Sequence, residues 1–280
     1  YIPSWVYGEV DLSVNSSSVF KSKNSSLKSD LSKIWRSKLH YEITNELSDL
    51  HNFYYNMYLP YLTKVHGNKT EILSYDYVKR QFSRRGLFND LFIIKKEEEC
   101  IAGSLLSHRK NRAKLCLLGI KDGNLDYVKD GAIGALFYFP VCYLAASGCT
   151  KIDFGASRPF LKDGVLRYKK KWNPKISNQK KIGFLFRIVS KTNGVKGFFL
   201  NNPFIYKDKA GFNGAIFVAS DQSLSKNDFV RIYKDYYLNG LSKLVIYQFG
   251  RTDGEIKDID LPEFSSRITV RSAESIFCNV

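Results

Sequence analysis

The sequence predicts an α/β chain of the α+β type: a mixed sheet flanked by helices, with a smaller α/β unit at the C-terminal end. Three observations predict it. First, the short apolar runs Leu91 to Ile94, Ile101 to Ser107 and Ala113 to Ile120 follow one another, separated only by the charged turns at Glu97 to Glu99 and Lys110 to Arg112. That is the pattern of an antiparallel meander. Second, a long apolar helix and a further short strand come next, and such a crossover forces parallel pairing after the antiparallel run. Third, 280 residues with 44% hydrophobic and 25% charged side chains suit a packed core rather than a disordered chain.

Residues 1–35 read as an extension. The runs Asn15 to Ser18 and Lys21 to Ser26 offer little to bury, and Trp5 and Tyr7 are the candidate anchors. The regular pattern begins at Leu39 to Thr44, which alternates like a half-buried strand. Asn45 is the expected cap of a helix over 46–59, with Leu47, Leu50, Phe53, Tyr54 and Met57 at helical spacing and Pro60 as its stop. A second helix is expected over 75–85, followed by the meander.

Lys121 to Asn124 forms a loop. A helix from Gly131 to Ser147 follows, with Gly148 as its left-handed stop and Pro140 as an expected kink or break. Lys151 to Phe154 is the next strand, 163–171 a helix and Ile182 to Val189 a strand. The main domain therefore spans 36–190. In 191–280, strands at Ala215 to Ala219 and Leu244 to Phe249 flank an amphipathic helix over Asp228 to Leu238, capped by Ser225 or Asn227 and stopped by Gly240. This smaller unit would either pack on the first domain or pair two copies as a homodimer.

The net charge is +16. It points to a polyanionic partner such as RNA, anionic lipid or a phosphate-rich cofactor, or else to a solvated lysine-rich surface. Cys100, Cys116, Cys142, Cys149 and Cys278 are odd in number and lack Cys-x-x-Cys spacing, so no zinc site is expected. A reducing, cytoplasmic setting is the simplest reading. No apolar run approaches the roughly 18 residues of a membrane span.

One series of short motifs carries a family resemblance. It comprises Tyr58-Leu-Pro-Tyr61, His66-Gly67, Ala102-Gly103, Gly119, Asp122-Gly123, Asp153-Phe-Gly155, Ser157-Arg-Pro-Phe160, Asp163-Gly164, and Tyr168-Lys with Trp172. In order and spacing the series resembles the GNAT acyltransferases, in particular their Fem-like single-domain branch, over about 38–190. The resemblance implies an acyltransferase that moves an acyl group from acetyl-CoA or another acyl-CoA, without a metal. The acceptor would be an amine or hydroxyl of a small-molecule or glycan-linked compound.

The donor's pyrophosphate would need several N–H donors, which a glycine-led helix start supplies with a favourable dipole. Lys129, Gly131, Ala132 and Gly134 approximate such a loop, and helix start with close helix–sheet packing is the alternative for the two glycines. Backbone N–H groups at Leu118, Gly119 and Ile120 would stabilise the developing oxyanion. Orientation of the amine against the donor carbonyl can supply much of the rate, so no triad is required.

Three side chains are acid/base candidates. Asp153 would accept the amine's proton, or cap its loop. Tyr168 would protonate the leaving thiolate, or stack in the core. His66 would contact the acceptor, or lie on the surface. The resemblance adds Tyr58, Tyr61, Ser157, Arg158, Asp163 and Lys169 as acceptor contacts. Arg167, Lys169, Lys170 and Lys171 make a basic helix that would clamp a phosphate-bearing acceptor or form a solvated face. Trp172 is expected to anchor that helix. Two other functions remain: aminoacyl transfer from charged tRNA, which the positive charge suits, and a non-catalytic GNAT-like binding module.

Overall fold

The computed structural model describes residues 1–13, 24–67, 71–83, 88, 90–177, 182–186, 188, 192–219, 224–250 and 265–277. Asn15 to Ser18, Lys21 to Lys23, the last two residues of the helix expected over 75–85, Arg187 and Val189 of the strand expected over 182–189, and Cys278 lie outside them. Two compact units make up the chain: Glu9–Gly155, and Tyr1–Gly8 together with Ala156–Val280. The division thus falls near residue 155 rather than 190, and most of the expected extension belongs to the first of these units.

The chain opens with β1 (Ile2–Pro3) and β2 (Val6–Asp11), then α1 (Ser25–Arg36) and β3 (His40–Thr44). Composition hid α1, because its Ser and Lys are solvent-facing while Leu27 and Ile34, seven apart, are fully buried. Each such side chain contributes about 1.5–3 kcal/mol on burial. Asn24 caps the helix by accepting the Ser26 N–H at 2.9 Å.

Next come α2 (Leu47–Phe53), a π-helical turn (Tyr54–Tyr58) and α3 (Leu59–His66). The helix therefore continues past Pro60. The Leu59 N–H bonds to the Tyr54 carbonyl five residues back, and this widened turn meets the chain where Pro60 has no N–H to give. The cap also differs from Asn45: Thr44 Oγ1 accepts the Glu46 N–H at 3.1 Å and donates to Asp49 at 2.7 Å.

The meander forms as expected after α4 (Tyr75–Ser83), with β4 (Asp90–Lys96), β5 (Glu99–Arg109) and β6 (Arg112–Ile120) pairing antiparallel. β3 pairs antiparallel with β4. The crossover runs through α5 (Leu125–Lys129) and α6 (Ala132–Ala146) into β7 (Lys151–Ser157), which lies parallel to β6. The result is a mixed sheet flanked by helices. α6 passes through Pro140 as a single helical element.

Period-2 alternation divides the sheet's two faces. Leu91, Ile93 and Leu105 pack with Leu50, Phe53 and Met57 of the α2–α3 region. Ile94, Ile101, Ala102 and Ile120 pack with Ile34 of α1 and with Ala132, Ala135 and Leu136 of α6. α6 has apolar residues all round because both of its sides are covered.

The other unit contains α7 (Gly164–Lys170), β8 (Lys175–Ser177), β9 (Gly183–Phe184), α8 (Asn193–Asn201), β10 (Phe204–Asp208), β11 (Gly211–Val218), α9 (Lys226–Tyr236), β12 (Leu241–Gln248), β13 (Ile268–Ser272) and α10 (Glu274–Phe277). Its four-stranded sheet runs β10-β11-β12-β13, with the first pair antiparallel and the others parallel. α9 is the crossover between β11 and β12, and Ser225 with Asp228 forms a full capping box. Among the described residues, no helix is long and apolar enough to cross a membrane.

Candidate functional site

The most distinctive feature of the unit Glu9–Gly155 is where β6 and β7 stop pairing. They join at Arg112↔Lys151, Ala113↔Ile152 and Lys114↔Asp153, and no further. β6 nevertheless continues to Ile120 and β7 to Ser157. The two strands therefore splay, and the later half of β6, which holds Leu118, Gly119 and Ile120, is unpaired on its β7 side. The β5–β6 register slips at the same level, with Leu105 opposite Leu117 and Leu106 opposite Leu115, so Cys116 is the extra residue of a bulge. A bulge bends its strand and raises its twist, which accounts for the divergence.

Asp153 lies at the last paired position, and it is buried. Its Oδ1 accepts the Gly155 N–H at 2.7 Å. Gly155 has φ of 78°, a left-handed backbone that favours glycine. The carboxylate is therefore held in one orientation by its own loop. The Cys116 thiol is pushed up to about 11, chiefly by burial, with the Asp153 charge adding to it. At neutral pH the thiol stays protonated and is no nucleophile.

A pair of cross-strand glycines seats the π-helical turn on this part of the sheet. Gly103 and Gly119 are directly opposed. A Cβ on Gly119 would lie 2.4 Å from Tyr58 N and 2.5 Å from the Met57 carbonyl carbon, and one on Gly103 would lie 2.6 Å from the Phe53 ring. Only glycine lets the helix backbone approach the strand this closely. Tyr58 is buried, and its hydroxyl accepts the Leu73 N–H at 3.4 Å, while the Tyr54 hydroxyl donates to the Leu73 carbonyl at 2.7 Å. Burial raises the pKa of Tyr58 and of Tyr61, which is half-buried. His66 is the last residue of α3.

Sequence reasoning missed both the π-turn and the bulge. Pro60 within an otherwise helical pattern was the available signal for the first. Nothing in the local sequence marks the second.

The expected pyrophosphate loop has a different neighbour. Gly131 caps α6 with φ of 102°, and a Cβ there would meet Lys33 Cβ at 3.0 Å and Ile34 N at 3.1 Å. A Cβ on Gly134 would meet Asp30 Cβ at 3.2 Å and its Oδ2 at 3.5 Å. Ala132 is fully buried. Lys129 pairs with Asp126 at 2.7 Å, three residues back on α5. Helix α1 thus covers the start of α6 and brings a carboxylate to it, so what packs closely on these glycines is a helix and not the expected sheet.

The remaining candidates belong to the other unit. Asp163 caps α7, accepting the Leu166 N–H at 2.9 Å. Lys169 is buried and donates to the Ala156 carbonyl at 2.8 Å. Lys171 Nζ sits 3.5 Å above the centre of the Tyr168 ring. Ser157 is buried, Arg158 exposed, and Trp172 fully buried. Asp153 is registered opposite Lys114, four to six residues before Leu118 to Ile120 on β6, and the full candidate set is divided between two units.

No protein-family model and no curated protein matches the sequence. Among solved structures, the chain is similar to L-PGS from Bacillus licheniformis, at 14% identity over 61% of this chain and 57% of that one, with a TM-score of 0.45. It is similar to FemX at 12% identity over 61% and 59%, with a TM-score of 0.49. An aminoglycoside acetyltransferase from an uncultured soil metagenomic sample, in complex with sisomicin, aligns at 13% identity over 55% of this chain and 99% of that one, with a TM-score of 0.38. The chain spans 57% of the length of L-PGS and 59% of that of FemX.

Proposed function

We propose that the chain is a GNAT-type acyltransferase that works at the splay between β6 and β7. The observation that carries this reading is the end of pairing at Lys114↔Asp153 beside a bulge, which leaves strand backbone next to a buried, oriented carboxylate. An acceptor amine would attack the donor's carbonyl carbon. Backbone N–H groups of the splayed half of β6 would stabilise the resulting oxyanion. Collapse would expel the donor's thiolate or ribose oxygen with its electron pair, and Asp153 would take the proton leaving the amine.

The donor separates two readings. Acyl-CoA is the first, with a small-molecule or glycan-linked acceptor. The second is charged tRNA, and one observation favours it: α1 and the Asp30 carboxylate occupy the helix start where a CoA pyrophosphate was expected. A like charge at that position opposes phosphate. The net charge of +16 suits RNA.

Titration calorimetry with CoA and acetyl-CoA tests the first donor, and absence of binding at millimolar concentration rejects it. Filter binding of charged tRNA across a salt series tests the second, where weak binding without steep salt dependence counts against it. For the reaction itself, Asp153→Asn keeps an acceptor for the Gly155 N–H and should slow transfer by about 10²–10⁴-fold. An unchanged rate removes Asp153 from the reaction. Donor binding without transfer to any amine or sugar points instead to a binding module.

A further inference from the structure

The β5–β6 ladder ends at Ala102↔Ile120, at the last residue of the half-strand offered to the oxyanion. The chain then leaves β6 through the turn Lys121–Gly123. Asp122 and Gly123 both take a left-handed backbone there, with φ of 53° and 58°. Asp122 is not a glycine, so this turn is strained and persists only where its surroundings hold it. Two neighbours do so. A Cβ on Gly123 would lie 3.0 Å from the Pro60 carbonyl oxygen, so α3 closes one side. On the other side, Glu99 Oε1 accepts from Lys121 Nζ at 2.8 Å and from the Tyr127 hydroxyl at 2.7 Å.

One carboxylate oxygen thus ties two points of the chain to the first residue of β5: the residue after Ile120, and the middle of α5. These hydrogen bonds, that of Lys121 first, hold the Glu99 carboxyl below its ordinary value. The Tyr127 ring packs against the cluster that contains Ile101 and Ile120, which fixes the direction from which its hydroxyl arrives. Lys96 adds a parallel tie from the end of β4 to Asp130, at 2.8 Å. Such exposed ion pairs contribute little to global stability. Their charge-assisted bonds are directional, so what they supply is geometry.

We propose that Glu99 is a positioning residue for acyl transfer: through Lys121 and Tyr127 it fixes the end of β6, and with it the N–H groups that meet the oxyanion. This rests on the acyl-transfer reading and adds a residue that acts on the reaction only through β6. Oxyanion donors are effective within a narrow range of distance, and a shift of about 1 Å can lower a rate about 10²-fold. The β5 ladder restrains part of that shift, so the expected loss is about tenfold.

The test follows release of thiol from acetyl-CoA, or of uncharged tRNA from charged tRNA, with amine and sugar acceptors. Glu99→Ala should lower kcat about tenfold and leave KM within about twofold. Glu99→Gln keeps an acceptor oxygen and should recover most of the rate. Adding Lys121→Met to Glu99→Ala should cost nothing more, because the two side chains act as one contact. Hydrogen exchange, which needs no donor, should quicken over 118–130 in Glu99→Ala, with the amides of β4 unchanged. Equal kcat for wild type and Glu99→Ala overturns the role of Glu99 and leaves acyl transfer standing. Unchanged exchange over 118–130 overturns the tie itself. A wild-type chain that releases neither thiol nor tRNA sinks the acyl-transfer reading, and this role with it.

Discussion

Gly119→Ala is the substitution most tightly constrained by the geometry. The added Cβ would stand 2.4 Å from Tyr58 N, 2.5 Å from the Met57 carbonyl carbon and 2.6 Å from Tyr58 Cα. All three are backbone atoms of a helix that cannot rotate aside. Restoring van der Waals contact requires the π-turn to retreat by about 1 Å, since carbon atoms prefer about 3.5–4.0 Å. That retreat would also pull Phe53 and Met57 off Gly103, loosening a cluster in which both are fully buried. Overpacking alone costs about 1–3 kcal/mol, and the void opened beside it adds to this. The expected loss is about 3–5 kcal/mol. Because the chain has two units, a peptide-resolved readout is needed. Hydrogen exchange of the β5 and β6 amides should show their opening free energy falling by that amount. Gly164→Ala is the control: no atom lies within 4 Å of its Cβ, so it should stay within about 1 kcal/mol of wild type. A loss below about 1 kcal/mol for Gly119→Ala refutes the close approach of helix and strand.

Two further expectations concern the other unit. Ser225→Ala removes the capping box of α9, whose Ser225 hydroxyl and N–H engage Asp228 at 2.7 and 3.0 Å. It should cost about 1 kcal/mol, read as a lower urea midpoint; no change would mean the box does not form in solution. Lys170 donates to the Lys234 carbonyl at the end of α9, and burial lowers its pKa from 10.5 to about 8, opposed by Asp235 and aided by Arg167. Between those two values the unfolded chain holds the extra proton, so this group's contribution to stability rises with pH through that window and is flat below it. The urea midpoint of Lys170→Met should lack that rise relative to wild type between pH 7.5 and 10, and parallel curves would contradict the burial.

The order of strands was legible because it rests on local signals. Short apolar runs separated by charged turns marked β4, β5 and β6 in succession, and these pair antiparallel. The crossover required β7 to run parallel to β6, and it does. Where that pairing ends was not legible. It follows from the bulge at Cys116, a residue that reads as an ordinary apolar neighbour in the sequence and becomes a bulge only through its register with Leu105 and Leu106. The first 35 residues were misread for a related reason: a helix whose exposed side is Ser and Lys declares itself only through Leu27 and Ile34 and the surface that covers them.

Glycine is where sequence and structure differ most, because its presence says only that something comes close. Four glycines at the candidate site illustrate this. Gly103 and Gly119 admit a helix backbone to the sheet, and Gly131 and Gly134 admit α1 to the start of α6. In the sequence, Gly131 and Gly134 are compatible with a phosphate cradle or with a helix start packed closely on a sheet. The neighbour decides, and here it includes the Asp30 carboxylate, whose charge disfavours a phosphate at the same point. The splayed edge of β6 and the oriented Asp153 do not depend on that cradle. In the proposed reading, the reaction and the recognition of its donor are therefore separable. A donor held through a long phosphate backbone by dispersed cations would need no single pyrophosphate loop, which is why the salt dependence of tRNA binding is the measurement that most directly divides the two donor readings.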